Sequence, residues 1–211
     1  DKLTKQQQTL EWKRDDYRAI NTSLLTFRNE LSDMRYTNKY RVRSVESTDA
    51  SKVTATATNV GNVGSTTISN VEQLATSTVV IGENNSNLKS GNDTLDKLNI
   101  VETTLIINGK PIEGITANDT LDSIISKVNN SDAGVIMYLD SFSGKMSLTS
   151  KKPGAESITV EGEIAEKLGF TVNMESKLGK NAILTINGVK TERSSNTFTE
   201  NGITYSIKQT F

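Results

Sequence analysis

The chain has no cysteine and no histidine among its 211 residues. Without cysteine it has no thiolate to act as a nucleophile or a metal ligand. Without histidine it lacks the side chain that most often serves as general base and as transition-metal ligand. These absences argue against zinc sites, haem sites and catalytic triads. We therefore expect a protein that is not an enzyme and that holds no metal and no cofactor.

Proline, aromatic residues and long apolar runs are also scarce. Two prolines exclude long polyproline linkers. Hydrophobic residues make up 34% of the chain and aromatic residues 5%, which supports modest cores rather than one large core. No run of about 18 apolar residues occurs, so we expect no membrane insertion. The length is typical of two or three compact units.

The first 40 residues carry the most informative pattern, an apolar heptad. Five apolar residues recur every seven positions, and three more fill the fourth position of the last three heptads. These eight seam residues are Leu3, Leu10, Tyr17, Ile20, Leu24, Phe27, Leu31 and Met34. They predict a helix roughly 50 Å long with one apolar face, ending between Tyr36 and Arg43.

The sequence offers no second predicted helix of matching length to cover the seam. It does not begin with methionine and has no signal-peptide pattern. We therefore expect a sequence that starts within a longer protein. The partner of the seam would lie on the missing chain or on another subunit.

Charge is divided unevenly along the chain. Residues 1–43 carry ten Lys and Arg against six Asp and Glu, whereas the remaining residues carry fourteen against nineteen.

Trp12 lies next to the seam in the sequence, close to Arg14 and Arg18. These three residues are candidate partner contacts, because Trp and Arg are favoured at interface hot spots. Trp12 could equally be an ordinary packing residue. Nucleic-acid binding is not expected, because the acidic remainder would repel phosphate.

Beyond the helix, the pattern predicts short strands and turns. The alternation of apolar and polar residues predicts strands at Val53–Ala57, Thr66–Val71 and Leu74–Ile81. A polar run after Gly82 suggests a domain boundary. We predict an α+β fold with a long N-terminal helix and two β-rich domains, one inserted into the other. The predicted bounds are 1–43 for the N-terminal helix, 44–84 with 178–211 for a discontinuous β-rich domain, and 85–177 for an inserted α+β domain.

Turn chemistry marks the hairpins. Asn108-Gly109, Asn187-Gly188 and Asn201-Gly202 each predict a type I′ turn, because both central residues of that turn need positive φ. Ser143-Gly144 predicts a further hairpin. The pentapeptide Asn-Asp-Thr-Leu-Asp occurs at 92–96 and 118–122, and each copy is a helix-start signal. We expect the second copy to open a helix and the first to support about one turn.

No catalytic motif is present. The glycine-rich stretch 61–64 lacks the lysine and the helix of a phosphate-binding loop. Carboxylate pairs such as Asp15 with Asp16 and Glu161 with Glu163 are interpreted as solvated surface. The Asn-rich loop 84–93 lacks the spacing of an EF-hand calcium loop.

Four stretches, in order along the chain, resemble one protein family. They are DKLTKQ at 1–6 with LEWKRDDYR at 10–18, TISNVEQLA at 67–75, INGK at 107–110 with NDTL at 118–121, and INGV at 186–189 with RSSN at 193–196. Together they are similar to the bacterial flagellar filament cap proteins, the hook-associated protein 2 family. Asn-Gly hairpins alone would be weak support, since flagellins and other hook-associated proteins share them.

The resemblance implies a non-enzymatic cap at the tip of the flagellar filament. It also implies that residues 1–43 are the N-terminal helix of a leg domain, and that this sequence is truncated at both termini. Its implied partners are copies of itself in an oligomeric plate and flagellin, with other hook-associated proteins and an export chaperone as further candidates. Its implied location is extracellular, after export through the flagellar apparatus without a cleaved signal peptide. Alternatives are a flagellin or hook–filament junction protein, a filament-tip adhesin that binds host glycans, and a glycan-acting enzyme that would need two acids about 5–10 Å apart.

Overall fold

The structure is a computed structural model and describes residues 1–35, 43–58, 64–85, 87–101 and 103–211. Its helices are α1 (Lys2–Met34), α2 (Leu121–Asn130) and α3 (Glu163–Lys167). Its strands are β1 (Val53–Ala57), β2 (Ile68–Gln73), β3 (Val79–Ile81), β4 (Ile106–Ile107), β5 (Lys110–Pro111), β6 (Val135–Asp140), β7 (Lys145–Ser150), β8 (Val160–Glu161), β9 (Glu175–Lys177), β10 (Ala182–Ile186), β11 (Val189–Arg193), β12 (Thr197–Glu200) and β13 (Ile203–Ile207). The predicted α+β class with a long N-terminal helix is confirmed.

The long helix forms where the heptad predicts it. The Asp1 side chain caps α1 by accepting a hydrogen bond from the backbone N–H of Leu3 at 3.3 Å. The helix ends at Met34, with Arg35 as its C-cap. The predicted end region between Tyr36 and Arg43 lies outside the described residues except for Arg43.

The contacts within the chain divide it into two units. The first comprises Asp1–Val45, Thr56–Asn62 and Asn201–Ile203. The second comprises Glu46–Ala55, Val63–Glu200 and Thr204–Phe211. Helix α1 belongs to the first unit, whereas both hydrophobic cores lie in the second.

The smaller core joins strands from both ends of the second unit. β2 pairs antiparallel with β10, which places Val71 opposite Leu184. Strand β13 lies between β1 and β12 in another sheet. The buried residues of this core are Val71, Ala75, Ala182, Leu184 and Ile207. Segments on both sides of the middle region therefore pair, while the predicted domain bounds stay a prediction.

The larger core fills the middle of the chain. One sheet has the strand order β6-β7-β3-β9, and another has β5-β4-β8. α2 buries the side chains of Leu121, Ile124 and Val128, which recur at helical spacing. Around them lie the other buried members of this core: Val80, Leu88, Leu95, Ile100, Leu105, Ile107, Ile112, Ile115, Ala133, Val135, Met137, Met146, Leu148, Ile158, Ile164, Ala165, Leu168 and Phe170.

One predicted strand is shorter than expected. We predicted a strand over Leu74–Ile81, but β3 covers Val79–Ile81. The Asn196 side chain takes both backbone groups of Ala75, accepting from its N–H at 2.7 Å and donating to its carbonyl at 2.8 Å. An isolated bridge then joins Thr76 to Lys180. The backbone here passes from one sheet to another, so it cannot continue a single ladder.

The predicted turns are confirmed. Asn108, Asn187 and Asn201 have φ values of 52°, 49° and 52°, and the glycines that follow them have 71°, 81° and 75°. Ser143-Gly144 lies in the hairpin between β6 and β7. Gly169 follows the short helix α3 with a φ of 90°.

The two pentapeptide copies pair with each other, which the sequence did not reveal. An antiparallel bridge joins Thr94 to Thr120, the third residue of each copy. The N–H of Leu95 donates to the Asp119 carbonyl at 3.1 Å, and the N–H of Leu121 donates to the Asp93 carbonyl at 3.0 Å. As predicted, the second copy opens a helix, with Thr120 as N-cap of α2. The repeat therefore builds a symmetric contact in addition to its capping role.

Candidate interface on the N-terminal helix

The seam residues all lie on α1, and all are exposed. Their exposed fractions range from 46% at Leu31 to 75% at Leu3, and no residue of α1 is buried. In a core helix such as α2, the equivalent positions are fully buried. An apolar stripe of this length on a soluble surface is typical of an interface. That the seam packs against other helices stays a prediction.

Charged residues flank the seam differently on its two sides. In heptad notation the first seam row is a, and four residues later comes e, which holds Arg14 and Arg28. The g row on the other side begins with Lys2 and then holds Asp16 and Glu30. From the second heptad onward the seam thus has one basic and one acidic edge. Our sequence reading named Arg14 but missed the other three residues of these two edges, which heptad lettering of the charged positions would have found.

The three predicted partner contacts occupy different parts of the helix surface. Trp12 takes a c position and lies roughly 130° around the helix from the seam, so it is not beside the seam in space. Its exposed fraction is 63%. One continuous groove on the helix surface is lined by Leu10, Lys13, Arg14, Tyr17, Arg18 and Asn21. Arg14 and Arg18 therefore adjoin the seam on its basic side, and Trp12 does not.

The two arginines differ in their present contacts. The Nη2 of Arg14 lies 2.8 Å from the Oδ1 of Asp15, and both side chains are about half exposed. An exposed pair of this kind contributes about 0–1 kcal/mol, so a partner can displace it at little cost. Arg18 has no ion pair within the part of the chain that the structure describes.

Three carboxylates have pKa values lowered by hydrogen bonds. Hydrogen bonds from Lys127 and Ser123 lower the pKa of Asp119, and bonds from Ser51 and Ser143 lower those of Asp49 and Asp140. A lowered pKa keeps each carboxyl ionised, which is unsuited to a general acid. Among the described residues, no cluster of three or more acidic side chains is placed to hold a metal ion. No helix there has the length and apolarity needed to cross a membrane.

Comparison with known proteins agrees with the resemblance stated above. Residues 1–78 match the family model described as the N-terminus of flagellar hook-associated protein 2. Flagellar hook-associated protein 2 of Thermotoga maritima is 32% identical over 116 residues, 51% of this chain and 19% of that protein. Its counterpart in Escherichia coli K12 is 26% identical over 214 residues, 94% of this chain and 45% of that protein.

A solved structure shares the fold. The crystal structure of the D1-D2-D3 domains of the flagellar cap protein FliD from Escherichia coli matches with a TM-score of 0.63 and 22% identity. The match covers 92% of this chain and 59% of that one. The chain spans less than half the length of the two curated relatives. The match to the Escherichia coli relative includes both the seam helix and the β-rich segments.

Proposed function

We propose that this chain belongs to the hook-associated protein 2 family of flagellar cap proteins and is part of a non-enzymatic cap at the tip of the flagellar filament. In this proposal the β-rich segments form an oligomeric plate, and α1 belongs to a leg that reaches from the plate to the growing filament. The cap promotes the insertion of secreted flagellin subunits. It reaches the outside of the cell through the flagellar export apparatus, without a cleaved signal peptide.

The exposed seam of α1 is the observation that carries the proposal. Most of the stability of a helix in a protein comes from burying its apolar face. Helix α1 has 33 residues and leaves all eight seam residues exposed, so it is less stable alone than a packed helix would be. A leg built from several helices supplies that burial. The match of residues 1–78 to the family model supports placing α1 in such a leg.

The charges on α1 favour a partner helix of different sequence over a second copy. In a parallel self-pair, each d position faces its own copy, so Lys13 would meet a second Lys13 in the seam. In an antiparallel self-pair, e positions face e positions, which would bring Arg14 and Arg28 against the arginines of the other copy. Like charges in contact disfavour both arrangements. We therefore propose that another helix of the leg covers the seam and places carboxylates opposite Lys13 and Arg28.

The basic side of α1 fits the need for replaceable contacts. The cap must move as each flagellin subunit is added, so individual contacts of the leg must be weak. Exposed charge pairs contribute about 0–1 kcal/mol each and steer the encounter of partners. We propose that Arg18 and the displaceable Arg14 meet flagellin or a neighbouring cap subunit in this way.

Two positions on opposite sides of α1 test the seam. Leu24 lies in the seam and is 60% exposed, whereas Asn29 lies at an f position on the far side of the helix and is also exposed. In the longer natural protein, Leu24→Glu is expected to disrupt the leg, shorten filaments and raise the amount of flagellin monomer in the medium. Asn29→Glu, the control, is expected to leave filament length unchanged. Equal effects of the two substitutions would contradict the role of the seam.

Charge reversal tests the basic side separately. Arg14→Glu with Arg18→Glu in the longer protein is expected to reduce filament growth and release flagellin monomer. The control, Lys2→Glu with Lys5→Glu, makes the same charge change near the start of α1. Normal filaments and no excess flagellin in the Arg14 and Arg18 variant would remove the basic side from the proposal while leaving the seam in place.

A further inference from the structure

Three Asn-Gly pairs in one chain offer the same covalent chemistry in different surroundings. All three lie in tight hairpin turns, with closely similar positive φ values at Asn108, Asn187 and Asn201. All three asparagines are exposed as whole residues. Glycine after asparagine leaves the backbone nitrogen unobstructed, because no Cβ shields it. Neither backbone geometry nor overall exposure therefore distinguishes the three positions.

Their side-chain contacts do distinguish them. Both ends of the Asn108 amide are held: Oδ1 accepts from the N–H of Thr159 at 3.0 Å, and Nδ2 donates to the carbonyl of Ala133 at 2.9 Å. One end of the Asn187 amide is held, where Oδ1 accepts from the N–H of Thr67 at 2.8 Å. The Asn201 side chain has no hydrogen bond to any residue that the structure describes.

We propose that Asn201-Gly202 is a site of spontaneous deamidation in the folded protein, and that its two sister turns are protected by their hydrogen bonds. The backbone nitrogen of Gly202 attacks Cγ of Asn201, a C–N bond forms, and Nδ2 leaves as ammonia with the proton from that nitrogen. The product is a cyclic imide. Water then opens the ring at either carbonyl and yields aspartate or isoaspartate, with one new negative charge.

The reaction requires the amide to rotate so that Cγ meets the next backbone nitrogen. A free side chain rotates without losing a contact, whereas Asn187 must break one hydrogen bond and Asn108 two. Each bond is expected to slow the reaction about five-fold, equivalent to about 1 kcal/mol. The expected order of rates is Asn201, then Asn187, then Asn108.

Isoaspartate at position 201 would change the hairpin between β12 and β13. The carbonyl of Gly202 accepts from the N–H of Thr58 at 2.8 Å and from its hydroxyl at 2.9 Å. Isoaspartate adds a methylene to the main chain, which shifts Gly202 relative to Thr58. The proposal therefore makes this contact the part of the molecule that changes first as the protein ages.

The test is peptide mapping by mass spectrometry of the purified chain after incubation at mildly alkaline pH, folded and in denaturant. Trypsin separates the three pairs into different peptides, because a lysine or arginine lies between each of them. In the folded chain we expect about five-fold faster deamidation at Asn201 than at Asn187, and a further slowing at Asn108. In denaturant the three rates should converge. The variant Gly202→Ser should slow the reaction at Asn201 alone.

Two results would overturn the proposal. Deamidation of Asn108 or Asn187 as fast as that of Asn201 in the folded chain would show that the hydrogen bonds do not protect. The same order of rates in denaturant would show that neighbouring residues, rather than the folded contacts, set the order.

Discussion

Helices α1 and α2 show two outcomes of the same sequence pattern. α2 has ten residues, and its apolar stripe of Leu121, Ile124 and Val128 is fully buried in the larger core. α1 has 33 residues and a longer apolar stripe, yet none of its residues is buried. Periodicity therefore predicts that a face exists and where it lies, but it does not say what covers it. The shorter helix has its partners within the chain, whereas the partner of the longer one is a proposal.

Truncating one leucine in each helix gives the strongest contrast. Leu121→Ala removes a fully buried side chain and is expected to lower the free energy of unfolding by about 3 kcal/mol, since a cavity remains. Leu24→Ala removes a side chain that is 60% exposed and should change it by less than about 0.5 kcal/mol. Denaturant unfolding of the purified chain, followed by circular dichroism, measures both. A loss at Leu24 as large as at Leu121 would mean that the seam is covered within this chain.

A buried and an exposed threonine hydroxyl extend the comparison between the packed core and α1. Thr78 is the one fully buried polar residue among those described, and its hydroxyl donates to the carbonyl of Glu156 and accepts from the N–H of Gly179 at 2.8 Å. Thr78→Val leaves both groups unpaired and should cost about 2 kcal/mol. On α1, the Thr22 hydroxyl donates to the carbonyl of Arg18 at 2.9 Å but is exposed to water. Thr22→Val, measured in the same unfolding assay, should be close to neutral.

The features that the sequence predicts well are those set by neighbouring residues. Each Asn-Gly turn and the Thr120 cap depend on a few consecutive side chains, and all are found as expected. Contacts between distant residues were missed. The pairing of Thr94 with Thr120 and the binding of the Ala75 backbone by Asn196 join residues 26 and 121 positions apart, and neither leaves a local pattern. The charged edges of the seam, by contrast, were present in the heptad and were overlooked.

The same limit applies to edge strand β6. The Asn129 side chain accepts from the N–H of Met137 at 2.7 Å and donates to its carbonyl at 3.2 Å. It thereby occupies backbone groups that would otherwise be open to another strand. Asn129 is the penultimate residue of α2 and would be taken from sequence for a simple helix-end residue. Its role depends on where the fold places β6.

Lowering the pH should destabilise the second unit through protonation of Asp119. Its carboxylate accepts from the Lys127 ammonium at 2.6 Å and from the Ser123 hydroxyl at 2.7 Å, and these bonds lower its pKa from 3.8. Because the folded pKa is lowered, the contribution to stability is complete above the unfolded value and is lost as pH falls through the folded value. Asp119→Asn should cost about 1.5 kcal/mol at neutral pH.

The free energy of unfolding, measured from neutral pH to strong acid, tests this role of Asp119. The variant should lose less stability than the parent chain as the pH falls below 3.8, because the titrating group is gone. Asp15→Asn on α1 is the control, since its partner Arg14 lies in an exposed pair. A pH profile unchanged by Asp119→Asn would assign the acid sensitivity to other groups.

The smallest expected effect is at Arg14, and it separates stability from the proposed function. Its pair with Asp15 has a short distance, but both side chains are about half exposed, so Arg14→Ala should change the free energy of unfolding by less than about 0.5 kcal/mol. Glu substitution there should be equally mild for folding, while the proposed leg contact would lose a cation and gain an anion. A folding loss above about 1 kcal/mol would show that Arg14 has a structural role in this chain, and the filament assay would then report misfolding rather than a lost contact. The charge-reversal experiment therefore tests a partner contact only if substitution of Arg14 leaves the free energy of unfolding unchanged.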